Sequence, residues 1–135
     1  MLTPIPLLII PLALFNIVAF LTPGLDWDSP LSTVQMLSGS TWEISLAEAF
    51  LAFSLFVLFF EILKSTRITS RSIIDHMLSM LLFAVGLAEF LLVPQAGNSV
   101  FALLLCIMLL DVVAGFSVSV RVAQRDFSVE PRDNA

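Results

Sequence analysis

Six ionisable side chains lie inside or beside long apolar runs of this 135-residue sequence, where they could do chemistry. A charged group inside a bilayer is costly and is tolerated when it is paired, hydrogen-bonded or used for proton or ion transfer. Counting about 1.5 Å per helical residue from the ends of the runs separates one deep group from the others, which lie nearer the boundaries. The six are Glu48, Glu61, Asp75, His76, Glu89 and Asp111.

Asp111 is the deep group. It stands 13 residues after Asn98, which places it about 20 Å into a hydrocarbon layer of about 30 Å. We expect its side chain to be neutral, hydrogen-bonded or in contact with water, and Ser79 on the preceding run has a similar depth. Two interpretations stay open: a hydrogen bond that joins helices or grips a partner, and a proton or ion site that also uses Glu89.

Glu61, Asp75 and His76 flank a short basic segment and, with Arg71, form an inner-side polar group. Two carboxylates and an imidazole can bind a divalent metal in principle. Since the chain has one histidine and one cysteine, we instead predict hydrogen-bonded pairs, Glu61 with His76 and Arg71 with Asp75, and no metal site. The sequence also lacks HExxH, GxSxG and phosphate-loop motifs, so we predict no catalytic residues, no enzymatic activity and no cofactor.

The composition indicates a membrane protein. Apolar residues make up 59% of the chain and charged residues 13%, whereas a soluble domain has about half and about a quarter. The mean hydropathy is +1.02. A chain of this length suits one membrane bundle with no separate catalytic domain. Its few basic residues argue against a nucleic-acid partner.

Four apolar runs predict an all-α integral membrane protein with four transmembrane helices in residues 1–123. The spans cover about 5–22, 46–64, 73–93 and 98–121, and residues 124–135 form a polar cytoplasmic tail with at most a turn or two of continued helix. The first run has no basic residues before it, so we interpret it as a retained span rather than a signal peptide. All basic residues fall in two clusters, which places both termini in the cytoplasm. The clusters are Lys64/Arg67/Arg71 and Arg121/Arg125/Arg132.

The segment between the first two spans has acidic but no basic residues, as an outer-side connection should. Two stretches, 34–36 and 42–44, alternate apolar and polar residues around Ser38-Gly39. This pattern predicts a small β-hairpin, with an irregular loop as the alternative. Trp42 and Glu43 are candidate partner contacts. Ser45 and Glu48 have the spacing of a capping box at the start of the second span, which gives Glu48 a structural role as well.

These patterns favour a non-enzymatic accessory, scaffold or assembly subunit of a membrane complex, in a bacterial inner (cytoplasmic) membrane. Its partners would be the lipid bilayer and either other membrane proteins or further copies of itself. The alternative is a small oligomeric proton- or cation-coupled transporter or channel, in which Asp111 and Glu89 face a common aqueous path.

Overall fold

Helices form most of the computed structural model, which describes residues 5–66 and 71–129, with side chains given for 5–66, 73–118, 120, 121 and 124. In chain order the elements are α1 (Ile9–Leu21), β1 (Pro30–Gln35), β2 (Thr41–Ser45), α2 (Leu46–Ser65), α3 (Arg71–Leu92), a 3₁₀ turn (Pro94–Ala96) and α4 (Ser99–Val129). The predicted tail falls partly in α4, and residues 130–135 lie outside the described part.

Within the described residues, three helical segments are long and apolar enough to cross a membrane: Leu46–Ser65, Ile73–Leu92 and Ser99–Val118. These coincide with the second, third and fourth predicted spans. The first apolar run differs, because α1 has 13 residues and therefore measures about 20 Å against a hydrocarbon layer of about 30 Å. Pro11 is the third residue of α1, where its missing N–H is not needed by the helix, so it causes no internal break.

The helix α4 is the central element of the bundle. It packs against both α2 and α3, while α1 contacts α2 and the 3₁₀ turn. Its buried side chains include Phe101 and Leu104, both 0% exposed, and Met108 at 2%. The side chain of Asn98 accepts a hydrogen bond of 3.0 Å from the Phe101 amide and so caps the start of this helix.

The predicted hairpin is present and passes directly into α2. In its register Val34 faces Trp42, and Gly39 at the turn has a φ of 92°, a value that favours glycine. Ser45 ends β2 and is also the N-cap of α2, in the capping box predicted with Glu48. Because one residue ends the strand and caps the helix, no flexible connection separates them.

An aromatic cluster holds the C-terminal half of α1 in place. The ring of Phe15 stacks on Trp27 with centroids 5.1 Å apart and meets the edge of Phe101 at 4.9 Å. Phe50 of α2 lies 6.1 Å from the same ring. Phe15 is 0% exposed, so this residue joins α1, α2, α4 and the segment that leads into the hairpin.

Replacing Phe15 with alanine should destabilise the bundle, because it opens a cavity where four parts of the chain meet. Soluble cores lose about 3–5 kcal/mol in such changes, and we expect the lower end here because lipid is itself apolar. Denaturant unfolding of the protein in detergent, followed by circular dichroism, measures the effect. Phe56, which is 68% exposed on α2, is the matched control. Equal loss of stability in Phe15→Ala and Phe56→Ala would contradict the assignment.

Candidate functional site

Five polar side chains from three helices meet in what we call the buried charge cluster. Glu61 and Lys64 come from α2, Asp75 and Ser79 from α3, and Asp111 from α4. Glu61 is 1% exposed, Ser79 and Asp111 are 5% exposed, and Asp75 is 6% exposed. Charged residues are almost never buried this deeply unless they are paired, so the contacts among them decide what the site can do.

Lys64 is the hub of the cluster. Its Nζ lies 3.3 Å from Glu61 Oε2 and 3.1 Å from Asp75 Oδ1. The same nitrogen donates a hydrogen bond of 2.6 Å to the carbonyl of Ile5. These contacts surround the ammonium group with oxygen atoms from three parts of the chain. Lys64 thereby joins α2 to α3 and to the segment that precedes α1.

Glu61 also holds the segment that leads into α1. Its Oε2 accepts the Leu7 amide at 2.9 Å, close to the start of α1, where backbone N–H groups lack helical partners and favour a negative charge. Its other oxygen, Oε1, is buried and has no hydrogen-bond partner. The Oε2 atom of Glu61 therefore has a structural role, whereas its Oε1 atom takes part in no hydrogen bond.

Asp111 faces this arrangement from α4. The side chain of Ser79 hydrogen-bonds to its carboxyl group, and Glu61, Asp75 and Lys64 all lie within electrostatic range. The structure thus brings together Asp111 and Ser79, the pair expected from their similar depths. Two carboxyl groups, those of Glu61 and Asp75, contact Lys64 directly, and that of Asp111 lies near enough to interact with all three charges.

Gly115 lets the ring of His76 approach α4 one turn after Asp111. A Cβ atom at this position would lie 2.9 Å from His76 Cε1 and 3.7 Å from Ser65 Cβ. Such a distance to Cε1 is too short for two carbon atoms, so a larger residue would displace the ring. The imidazole therefore packs directly on bare backbone at the edge of the buried charge cluster.

The two polar groups that we predicted at different depths form one cluster. Glu61 is about 22 Å from the start of α2 and Asp111 about 18 Å from the start of α4, which is less than one helical turn of difference. We predicted that Asp75 pairs with Arg71 and Glu61 with His76. Lys64 pairs with both carboxylates, the side chain of Arg71 lies outside the described part, and the pairing of Glu61 with His76 stays a prediction.

The remaining candidates lie away from the cluster. Glu89 accepts a hydrogen bond of 3.3 Å from Asn16 Nδ2 and stands 14 residues after Asp75 on α3, a separation of about 21 Å. Glu48 is exposed in the capping box. Trp42 is 50% exposed and Glu43 is also exposed, both on the hairpin.

Sequence reasoning missed two members of these contacts. Lys64 was considered only as part of a basic cluster, although its spacing of three residues from Glu61 is typical of an ion pair on a helix. Asn16 is the one polar side chain in the apolar run 5–21, and a polar group in such a run usually finds a hydrogen-bond partner. Both signals are local and could have been used.

Within residues 5–66 and 71–129, no group of three or more His, Cys, Asp or Glu side chains has an arrangement that could hold a metal ion. In the buried charge cluster the position between the carboxylates is filled by the lysine ammonium. Comparisons with protein-family models, curated proteins and solved structures found no match to this chain.

Replacing Lys64 with methionine should destabilise the protein strongly, because it leaves Glu61 and Asp75 buried without their cation. Removing one partner of a buried ion pair costs about 3–5 kcal/mol. Unfolding in detergent measures the loss, and Arg121→Met, at an exposed position on α4, is the control.

The triple variant Lys64→Met, Glu61→Gln, Asp75→Asn should recover more than half of that loss, since it removes the uncompensated charges too. If the triple variant is less stable than Lys64→Met alone, the ion pairs are not what Lys64 contributes.

Proposed function

We propose that this chain is a non-enzymatic accessory, scaffold or assembly subunit of a membrane complex. The observation that supports this most directly is that its charged and its apolar side chains lie in different places. The charged groups of the buried charge cluster contact one another inside the bundle, whereas large apolar side chains face outward on the helices and on the hairpin. A molecule built in this way offers surfaces for binding rather than a site for chemistry.

The membrane arrangement that we propose has four spans with both termini in the cytoplasm, in a bacterial inner membrane. The clustering of basic residues supports this orientation, because short basic segments stay on the cytoplasmic side. In this arrangement α1 is the first span together with residues 5–8, which precede it and which Glu61 and Lys64 hold by their backbone. Both termini share a side only if α1 crosses the membrane.

The helix faces suit lipid or other membrane helices. On α3, Met77, Leu81 and Leu91 are 65%, 60% and 69% exposed. In the span Ile73–Leu92 only 17% of the residues are buried inside the chain. Since lipid tails are as apolar as leucine, such a face can bind either lipid or a neighbouring helix.

The hairpin is the surface that favours a protein partner. Its apolar side chains Val34, Met36 and Trp42 are 39%, 45% and 50% exposed, and Leu37 at the turn is fully exposed. They belong to a strand pair that precedes α2 and so extends beyond the apolar span. Exposed apolar patches of this kind mark interaction sites, and tryptophan is frequent among residues that dominate binding energy.

The alternative, a proton- or cation-coupled transporter, needs an aqueous path that both Asp111 and Glu89 face. Between their levels on α3 lies Gly86, where a Cβ atom would be 3.1 Å from Leu105 Cδ2 and 3.2 Å from Met108 Cε. Close apolar packing at this level separates the two carboxylates. We therefore prefer the accessory role.

Purification of the tagged full-length protein from its own membrane in mild detergent, followed by native mass spectrometry, tests the proposal. We expect other membrane proteins in a fixed ratio. Trp42→Ala should lower the bound fraction at least about tenfold if Trp42 is a central contact, and the control Phe56→Ala should leave it unchanged. A chain that emerges alone, or only with copies of itself, would favour the transporter.

The orientation has a separate test in intact cells. In a Cys106→Ser background, Ser38→Cys in the hairpin should react with a membrane-impermeant maleimide, because we place the hairpin outside. A fluorescent protein that matures only in the cytoplasm, fused after Ala135, should fluoresce. Labelling of Ser38→Cys only after the cells are lysed, or a dark fusion, would overturn the proposed topology.

A further inference from the structure

We propose that the buried charge cluster is a binding site for one exchangeable proton, shared among the carboxyl groups of Glu61, Asp75 and Asp111 where α2, α3 and α4 meet around Lys64. This goes beyond the role as a subunit, and it holds whether or not a partner protein is bound. The proton comes from bulk water and returns to it, and no other bond changes.

The charges of the described side chains at the site do not balance without such a proton. The segment before α1 contributes only backbone groups, the Ile5 carbonyl and the Leu7 amide. Among the described side chains of the site, α2 contributes the acid Glu61 and the base Lys64. The helix α3 contributes the acid Asp75 and the base His76, and α4 contributes only the acid Asp111. Even when the bases Lys64 and His76 are both charged, one negative charge is left over.

Glu61 Oε1 shows where hydrogen-bonding capacity is missing. It is buried and has no hydrogen-bond partner, and Asp75 Oδ1 is also buried and contacts Lys64 without a hydrogen bond. Lys64 donates a hydrogen bond to the Ile5 carbonyl and lies 3.3 Å from Glu61 Oε2 and 3.1 Å from Asp75 Oδ1, and none of these contacts involves Glu61 Oε1. An ionised carboxylate can only accept, whereas a protonated one can donate, so a proton supplies the donor that the site lacks.

The position of Lys64 makes the proton exchangeable and makes a metal unsuitable. Lys64 lies in the last turn of α2, one residue before the end of the helix, so the cluster is close to the exposed Thr66. Its ammonium occupies the place between the carboxylates that a metal ion would need. A proton requires no space of its own and can add to any of the three carboxyl groups.

Infrared difference spectroscopy of the full-length protein in lipid nanodiscs tests the proposal. As the pH is lowered from alkaline to acidic, the wild type should gain the C=O stretching band of a buried, protonated carboxylic acid. Asp111→Asn should lower the amplitude of this band by more than about half, since it removes the surplus negative charge. Glu61→Gln and Asp75→Asn should lower it in the same way.

Glu89→Gln is the matched control, because it removes a half-buried carboxylate of α3 that lies outside the cluster. It should keep the full band. Circular dichroism identifies any variant that has lost its helices, and the wild-type titration needs no variant at all.

Three results would overturn the proposal. One is a wild type without a pH-dependent band, and another is a band that only Glu89→Gln removes. The third is a band that disappears at constant pH when choline in the buffer is replaced by sodium, because a sodium ion would then fill the site.

Discussion

The ammonium group of Lys64 is the contact on which one end of the bundle depends. A charge that is buried away from water must find its partners within the chain. Lys64 finds them in Glu61, in Asp75 and in the backbone before α1. These partners fix the angle at which α2, α3 and the first segment meet. The carboxyl group of Asp111 is hydrogen-bonded to Ser79 and lies within electrostatic range of these charges.

The other end of the bundle is stabilised by aromatic packing rather than by ion pairs. There the rings of Phe15, Trp27, Phe50 and Phe101 pack together, and their stability rests on contact area and ring geometry rather than on charge. The helix α4 contributes to both ends, with Phe101 in the aromatic cluster and Asp111 among the charges. The buried side chains of Leu104 and Met108 fill the level between them. A central α4 thus couples a polar end to an apolar end.

The features that could be predicted from sequence are local ones. The capping box of Ser45 and Glu48, the Asn98 cap and the alternation in the hairpin each involve residues a few positions apart, so their geometry follows from the helix or strand itself. Which helices are neighbours does not follow in this way, because hydropathy reports neither rotation nor packing order. The position of α4 between α2 and α3, and hence the position of Asp111 near Lys64, could therefore not be predicted from the sequence. Hydropathy identifies apolar residues but does not show where a helix begins, so the predicted first span was longer than α1.

Because β2 continues directly into α2, the hairpin and the helix are mechanically coupled. Since Ser45 closes the strand and caps the helix, the hairpin continues directly into the 20-residue α2, which is itself about 30 Å long. Amides of Leu46 and Ala47 bonded to the carbonyls of Ser29 and Trp27 stiffen the joint. A force that tilts the hairpin would therefore act through α2 on the turn that carries Glu61 and Lys64.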